Sequence, residues 1–129
     1  PIGELSEFAS QYTDVLHRAT NLPVIITDRD HVIAVAGMPK RDVMDKRISS
    51  QLEDLMENRA NYIASPEMKA LYPLSDKDKE AGLAFTIIGG GDVTGSVVLM
   101  MNTDGSMPTQ TEIKLVSVAA SFLGKQTEE

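Results

Sequence analysis

The 129-residue chain contains no cysteine and no tryptophan, and only 5% of its residues are aromatic. Without thiols there is no disulfide, no thiolate nucleophile and no sulfur-ligated metal, which fits a reducing compartment. No apolar run approaches the roughly 18 residues that a membrane-spanning helix needs, and the N-terminus carries no secretory pattern. A soluble, cytoplasmic protein without a membrane partner is expected. Positive charge is also scarce. The 12 Lys and Arg against 19 Asp and Glu leave a net charge of -7, the wrong sign for a surface that must neutralise phosphates, so the chain by itself is not expected to bind DNA. What is present is ordinary for a globular domain: 42% apolar and 24% charged residues. A chain of this length buries about two thirds of its unfolded surface around one core. No linker, repeat or low-complexity tract divides it, so residues 1–129 read as a single domain. Pro1 stands where an initiating methionine would, which implies a preceding segment.

The sequence opens and closes with helical patterns. Leu5, Phe8, Ala9, Tyr12, Val15, Leu16 and Ala19 follow the i, i+3, i+4 rhythm within an arc of about 120 degrees. Thr109 and Glu112, just after Pro108, have capping-box spacing and launch a helix that runs to Lys125. Its apolar residues Ile113, Leu115, Val116, Val118, Ala119, Ala120, Phe122 and Leu123 cover roughly 220 degrees, twice what one contact surface requires. The first helix covers part of that excess. A two-fold homodimer with bundled terminal helices is expected to cover the rest, through Leu5, Phe8, Tyr12, Leu115, Val118 and Phe122. Complete burial inside one subunit is the alternative.

Between the helices, Pro23 to Thr27 and Val32 to Ala36 form a hairpin around Asp28-Arg29-Asp30. With a two-residue turn, Val24 and Ile26 would oppose Val35 and Ile33 on one face, and Ile25 with Ala34 and Thr27 with Val32 would make the other. The tip lacks the glycine of a tight primed turn, so a longer loop with a left-handed His31 is the alternative. Both faces are apolar, the mark of central strands covered on each side. Short helices are expected over Lys40 to Asp45 and Ser50 to Asn58, the second capped by Ser49. Short strands are expected over Tyr62 to Ala64 and Ala70 to Leu74, with Pro73 confining the latter to an edge. A second hairpin joins Leu83 to Ile88 with Gly95 to Met101 through Gly89-Gly90-Gly91-Asp92. The order is that of an α+β fold: one antiparallel sheet of about five or six strands, helices on both faces, and the N- and C-terminal helices packed together.

Five segments, "ELSEFASQYTDVL", "VIITDRDHVIAVAG", "ISSQLEDLMENR", "GDVTGSVVL" and "EIKLVSVAASFLGKQ", resemble in order and nearly end to end the C-terminal GAF domains of the stage V sporulation protein T family. The resemblance implies a regulator of sporulation transcription. In it an N-terminal DNA-binding domain is fused to a GAF domain that dimerises through helices and receives a signal. DNA would then be contacted only through an N-terminal domain lying ahead of Pro1. The chain departs from the family's pattern mainly over residues 60–85 and in the triple glycine. Some GAF domains reduce free methionine sulfoxide through cysteines, a chemistry that this cysteine-free sequence excludes.

The residues themselves call for neither catalysis nor a metal. His17 falls on the polar side of the first helix and His31 beside the hairpin tip, so they do not converge, and no HExxH spacing exists. Gly89-Gly90-Gly91 lacks the Lys-Ser or Lys-Thr and the following helix of a P-loop. Asp28 and Asp30 read as a solvated turn tip, and Lys40, Arg41, Lys46 and Arg47 interleave with Asp42 and Asp45 without any aromatic. No catalytic residue, metal ligand or cofactor is assigned.

Met44 and Met56 lie in the short helices that roof the sheet in GAF-like folds, where thioethers suit an irregular apolar ligand and serve equally as core filler. A pocket there would have Ile33, Val35, Phe85, Ile87, Val97 and Leu99 as its floor and Met44, Ile48, Leu52 and Met56 as its roof, with Arg47 or Arg59 at the mouth. Two functions fit. In one, a small-molecule effector shifts the angle between the terminal helices through its differential affinity for two arrangements. In the other, the pocket is filled and the domain is a purely structural dimerisation or protein-docking module.

Overall fold

The computed structural model describes residues 2–76 and 78–127, with side chains from Leu5 onward. Helix α1 (Ile2–Thr20) buries Leu5, Ala9, Thr13 and Leu16 along one stripe. It stops where Asn21 turns left-handed, at φ 60°, and donates its N–H to the His17 carbonyl at 2.7 Å. Strands β1 (Val24–Thr27) and β2 (Val32–Ala36) follow, then α2 (Lys40–Val43), α3 (Ser50–Glu57) and β3 (Asn61–Ile63). The long hairpin of β4 (Ala81–Gly89) and β5 (Asp92–Met100) leads to the closing helix α4 (Gln110–Gln126). The five strands form one antiparallel sheet in the order β2-β1-β5-β4-β3. Ser49 caps α3 by accepting the Leu52 N–H at 3.1 Å. Thr109 and Glu112 close the expected capping box on α4, at 3.0 and 3.1 Å.

Two cores sandwich the sheet. On one face Val24, Ile26, Leu83, Phe85, Ile87, Val97 and Leu99 meet Leu5, Ala9 and Leu16 of α1 and Val116, Ala119, Ala120 and Leu123 of α4. On the other, Ile25, Val35, Ala84, Val98 and Met100 meet Val43, Ile48, Leu52 and Met56. The central strands are apolar on both sides because both sides are covered. The first hairpin takes the longer loop. Asp28 accepts the backbone N–H groups of Asp30 and His31 at 2.7 and 2.8 Å, and its own N–H reaches the His31 carbonyl at 3.0 Å. This Asx turn needs no glycine, and His31 is not left-handed. Ile25 pairs with Val35 and Ile26 with Ala34, and Ile33 is the extra residue of a bulge between Val32 and Ala34. Thr27 pairs with Val32 as expected, whereas the pairing expected for Val24, Ile25 and Ile26 is wrong by one residue.

The face under α3 carries a polar row. Thr27 pairs with Ser96 and Ser96 with Thr86 across β1, β5 and β4, and alternation places all three with Ile25, Val98 and Ala84. Thr27 and Ser96, both 0% exposed, hydrogen-bond to each other at 2.6 Å, and Thr86 donates to the Ala60 carbonyl at 2.6 Å.

Gly90 and Gly91 both have positive φ, 59° and 86°, as a two-residue primed turn requires. The strands flank that turn so closely that the second hairpin is longer than its expected four-residue connection allowed. The end of α4 lies directly on this hairpin. A Cβ at Gly124 would collide with the Ile88 carbonyl oxygen, and one at Gly89 with the Thr127 hydroxyl.

Two expected features are absent or altered. Ala70 to Leu74 is not a strand; only Leu74 makes an isolated bridge, to Ile48. Pro73 is buried rather than at an edge, and its carbonyl accepts the Ser49 N–H at 2.8 Å. His17 is half-buried instead of solvated. Its Nδ1 donates to the Leu22 carbonyl at 2.7 Å and ties the end of α1 to the approach to β1.

Two predictions follow from this packing. Thr27→Val orphans the buried Ser96 hydroxyl and should cost about 1–3 kcal/mol, read from the urea midpoint. Adding Ser96→Ala removes the orphan and should recover part of the loss; losses that simply add would show the hydroxyls to be uncoupled. Gly124→Ala gains about 1 kcal/mol of helix propensity but forces a methyl against backbone, an overpacking cost of about 1–3 kcal/mol. It should lower the melting midpoint, whereas Ser121→Ala, on the exposed side of the same helix, should not. A stabilised Gly124→Ala protein would refute the close contact.

Candidate ligand-binding clefts

The ten residues expected to line one pocket do not meet. Phe85, Ile87, Val97 and Leu99 lie in the core beneath α1 and α4, and Ile33 packs against that same core. Val35 alone of the expected floor lies with Ile48, Leu52 and Met56, and with the partly buried Met44. The bulge at Ile33 and the two-sided apolarity of β4 and β5 are the reasons, since a one-residue offset exchanges the faces of a strand. The residues actually under α3 are Ile25, Ala84 and Val98. Side chains fill that space, with Ile25, Leu52 and Val98 all 0% exposed.

Open space lies at the ends of the sheet. A cleft of about 500 Å³ runs between the Asp28-Arg29-Asp30 tip and the β4–β5 turn, touching Leu5 at the start of α1 and Thr127 beyond α4. A neighbouring cleft of about 720 Å³ shares Arg29, Asp30, Asp92 and Val93 and extends to Glu53, Met56, Glu57 and Arg59 of α3 and its C-terminal turn. Together they carry five carboxylates (Asp28, Asp30, Asp92, Glu53, Glu57) and two guanidiniums (Arg29, Arg59). This balance repels anions. Arg47, expected at the mouth, is an exposed side chain 3.9 Å from Glu53 and lines neither cleft. A smaller hollow of about 160 Å³ opens at the opposite end of the same face, between α2 and the loop ahead of β4.

Asp28, Asp30 and His31 are the one group among the described residues whose ligand atoms fall within 4.8 Å of each other. Asp28 Oδ1 already accepts two backbone N–H groups, so the group is first of all the chemistry of a turn. The triple glycine runs from one strand into the next and precedes no helix. Titratable groups with shifted acidity lie away from the clefts. Burial raises the Tyr62 phenol above its ordinary value, and hydrogen bonds from Ser106 lower Asp104.

The residues expected at a dimer interface divide by exposure. Leu5 is buried within its own subunit at 3%. Phe8, Tyr12 and Phe122 are half-buried and form one aromatic cluster, with centroids 5.8 Å apart for Phe8 and Phe122 and 5.2 Å for Tyr12 and Phe122. Leu115 is half-buried, and Val118 is 55% exposed. Val15 and Ala19, expected in the buried stripe of α1, are both exposed, Val15 at 52%, and Val15 is not among the residues expected at the interface. Leu5 and Thr127 line one cleft, while Leu22 and Thr109 line another hollow, so α1 and α4 run antiparallel. Val15 is one turn after Tyr12 and Val118 one turn before Phe122, and both steps lead the same way along the helix pair. The apolar strip thus continues past the aromatic cluster onto open surface. No described helix is long and apolar enough to cross a membrane.

Residues 4–128 match the family described as Stage V sporulation protein T C-terminal, transcription factor. Stage V sporulation protein T of Bacillus subtilis (strain 168) is 37% identical over 131 residues, spanning 100% of this chain and 72% of that protein. The GAF domain of a phosphoenolpyruvate-protein phosphotransferase from Acinetobacter superposes with a TM-score of 0.74 at 13% identity, over 95% of this chain and 81% of that one. A double mutant of the inducer-binding domain of the transcription factor PobR from Acinetobacter, in complex with 3-hydroxybenzoic acid, gives a TM-score of 0.54 at 13% identity, over 94% and 98% of the two chains. At such identities the likeness to these structures speaks for the GAF fold alone. By the family match and the Bacillus relative together, the chain belongs to the stage V sporulation protein T C-terminal family of transcription factors.

Proposed function

We propose that this is the regulatory, dimer-forming domain of a cytoplasmic sporulation transcription regulator. A small-molecule signal bound by the domain changes how two copies present their N-terminal DNA-binding domains. The observation that carries the reading is the apolar strip on the α1–α4 pair, where Val15 and Val118 are 52% and 55% exposed beside a half-buried aromatic cluster. Phe8, Tyr12, Leu115, Val118 and Phe122 make the contact with a second copy, joined by Val15, while Leu5 supports α1 from below. The net charge of -7 leaves DNA to the N-terminal domain. Binding of 3-hydroxybenzoic acid by the similarly folded inducer-binding domain of the transcription factor PobR supports the sensory half of the reading.

A second reading, dimerisation without a ligand, is favoured by one observation: the space beneath α3 is filled by Ile25, Leu52 and Val98. A thermal-shift screen of metabolites separates the two, because a ligand at a hundred times its Kd adds about 2.7 kcal/mol of stability.

Light scattering should find a dimer at concentrations on the order of tens of micromolar. Val118→Glu should give a monomer with an unchanged circular dichroism spectrum, since its side chain faces outward. A monomeric parent protein would overturn the dimer.

A further inference from the structure

We propose that the small hollow between α2 and the loop ahead of β4 binds a free α-amino acid with an aliphatic side chain. This rests on the sensory reading above and gives it a place and a ligand class. The walls are Met38, Val43, Leu74 and Met100 with the buried Pro73, and the exposed Pro39 stands at the rim. Val43, Leu74 and Met100 are 1%, 3% and 4% exposed, so the hollow reaches down to the second core. Its volume of about 160 Å³ is close to the roughly 150 Å³ cavity that accepts benzene, room for an apolar group of about four to six carbons. Two proline rings fix the backbone on either side of the hollow, and two thioethers adapt the wall to branched or linear chains.

The charges at this hollow select the head of the ligand. Asp42 of α2 and Lys79 of the loop are the charged residues lining it. Both are exposed, and neither side chain makes an ion pair among the described residues, whereas Lys46 reaches Asp76 and Arg47 reaches Glu53. An apolar hollow with one carboxylate and one ammonium at its rim complements an apolar chain that ends in an ammonium and a carboxylate. A fatty acid satisfies Lys79 and is opposed by Asp42, and an alkyl amine does the reverse. The larger clefts carry five carboxylates to two guanidiniums, an excess of negative charge that opposes the carboxylate of such a ligand. A bound amino acid would also bridge α2 to the loop. α2 is a single turn without a side-chain cap, anchored to the second core through Val43.

Each methylene buried adds about fourfold to affinity, so leucine, isoleucine and methionine should bind more tightly than valine, valine more tightly than alanine, and glycine not measurably. The test is an NMR titration of this chain, with leucine shifting the amides of Met38, Asp42, Val43, Leu74, Lys79 and Met100. In two further arms, 4-methylpentanoate lacks the ammonium and isoamylamine lacks the carboxylate, and both should bind more weakly than leucine. Asp42→Asn and Lys79→Met, both at exposed positions, should each weaken leucine about fivefold. Asp42→Asn should strengthen 4-methylpentanoate relative to leucine. Absence of any shift at about 10 mM leucine, shifts elsewhere in the sheet, or equal affinity for leucine and its two analogues would overturn the proposal. A protein that responds to another metabolite and ignores leucine defeats this ligand class alone. One that responds to no metabolite defeats the sensory reading with it.

Discussion

A strand covered on both faces leaves hydrophobicity no means of choosing its register, because a slip of one residue exchanges one apolar face for another. β1, β4 and β5 are such strands, lying between the helix-pair core and the α3 core. What fixes their register is polar and backbone chemistry. Asp28 holds the first turn with two accepted hydrogen bonds. Gly90 and Gly91 allow the tight second turn through positive φ. The buried Thr27–Ser96 hydroxyl bond pairs one residue of β1 with one of β5. A slipped register would bury both hydroxyls against apolar neighbours, a penalty that aliphatic residues in the same sites would not impose. The small polar minority inside the sheet therefore sets the positions of the large apolar majority.

This explains what the sequence reveals and what it conceals. Helix ends are local, and Thr109 with Glu112 and Ser49 with Leu52 form the caps that their spacing announces. The two-sided apolarity of the first hairpin likewise announces a central position. The assignment of Phe85, Ile87, Val97 and Leu99 to a pocket floor fails because alternation gives relative and not absolute facing, and the extra residues at Ile33 and Thr94 are silent in the sequence. The segment 70–74 conceals its structure for a different reason. Gln51 donates to the Ala70 carbonyl and accepts from the Tyr72 N–H, while Ser49 donates to the Tyr72 carbonyl. A chain stretch held by side chains some twenty positions away has no local pattern of its own.

The broad apolar arc of α4 also acquires a physical meaning. Val116, Ala119, Ala120 and Leu123 face the sheet, Phe122 turns toward Phe8 and Tyr12 of α1, and Val118 is left in solvent. Three directions, rather than two, account for the width. Gly124 completes the sheet-facing side with no side chain at all, because the helix end approaches the Ile88 carbonyl too closely for one. Helix propensity argues against glycine inside a helix, so its place here reflects contact rather than local preference.

That contact bears on how a signal could travel. A ligand among α2, α3 and the loops touches one core, whereas the helices that carry the apolar strip rest on the other, so movement of α2 alone does not reach α4. β5 touches both: Val98 and Met100 face the α2–α3 side and Val97 and Leu99 the helix pair. Any shift of this strand is felt in both cores, because close-packed interiors transmit displacement instead of absorbing it. At its far end β5 leads back through the glycine turn to Ile88 and Gly89, where the last turn of α4 is seated. The hollow beside α2 ends on Met100 and the open clefts end on Asp92 and Val93, the two ends of the same strand. Occupancy at either place can bias α4 only as far as the ligand prefers one position of β5 to another.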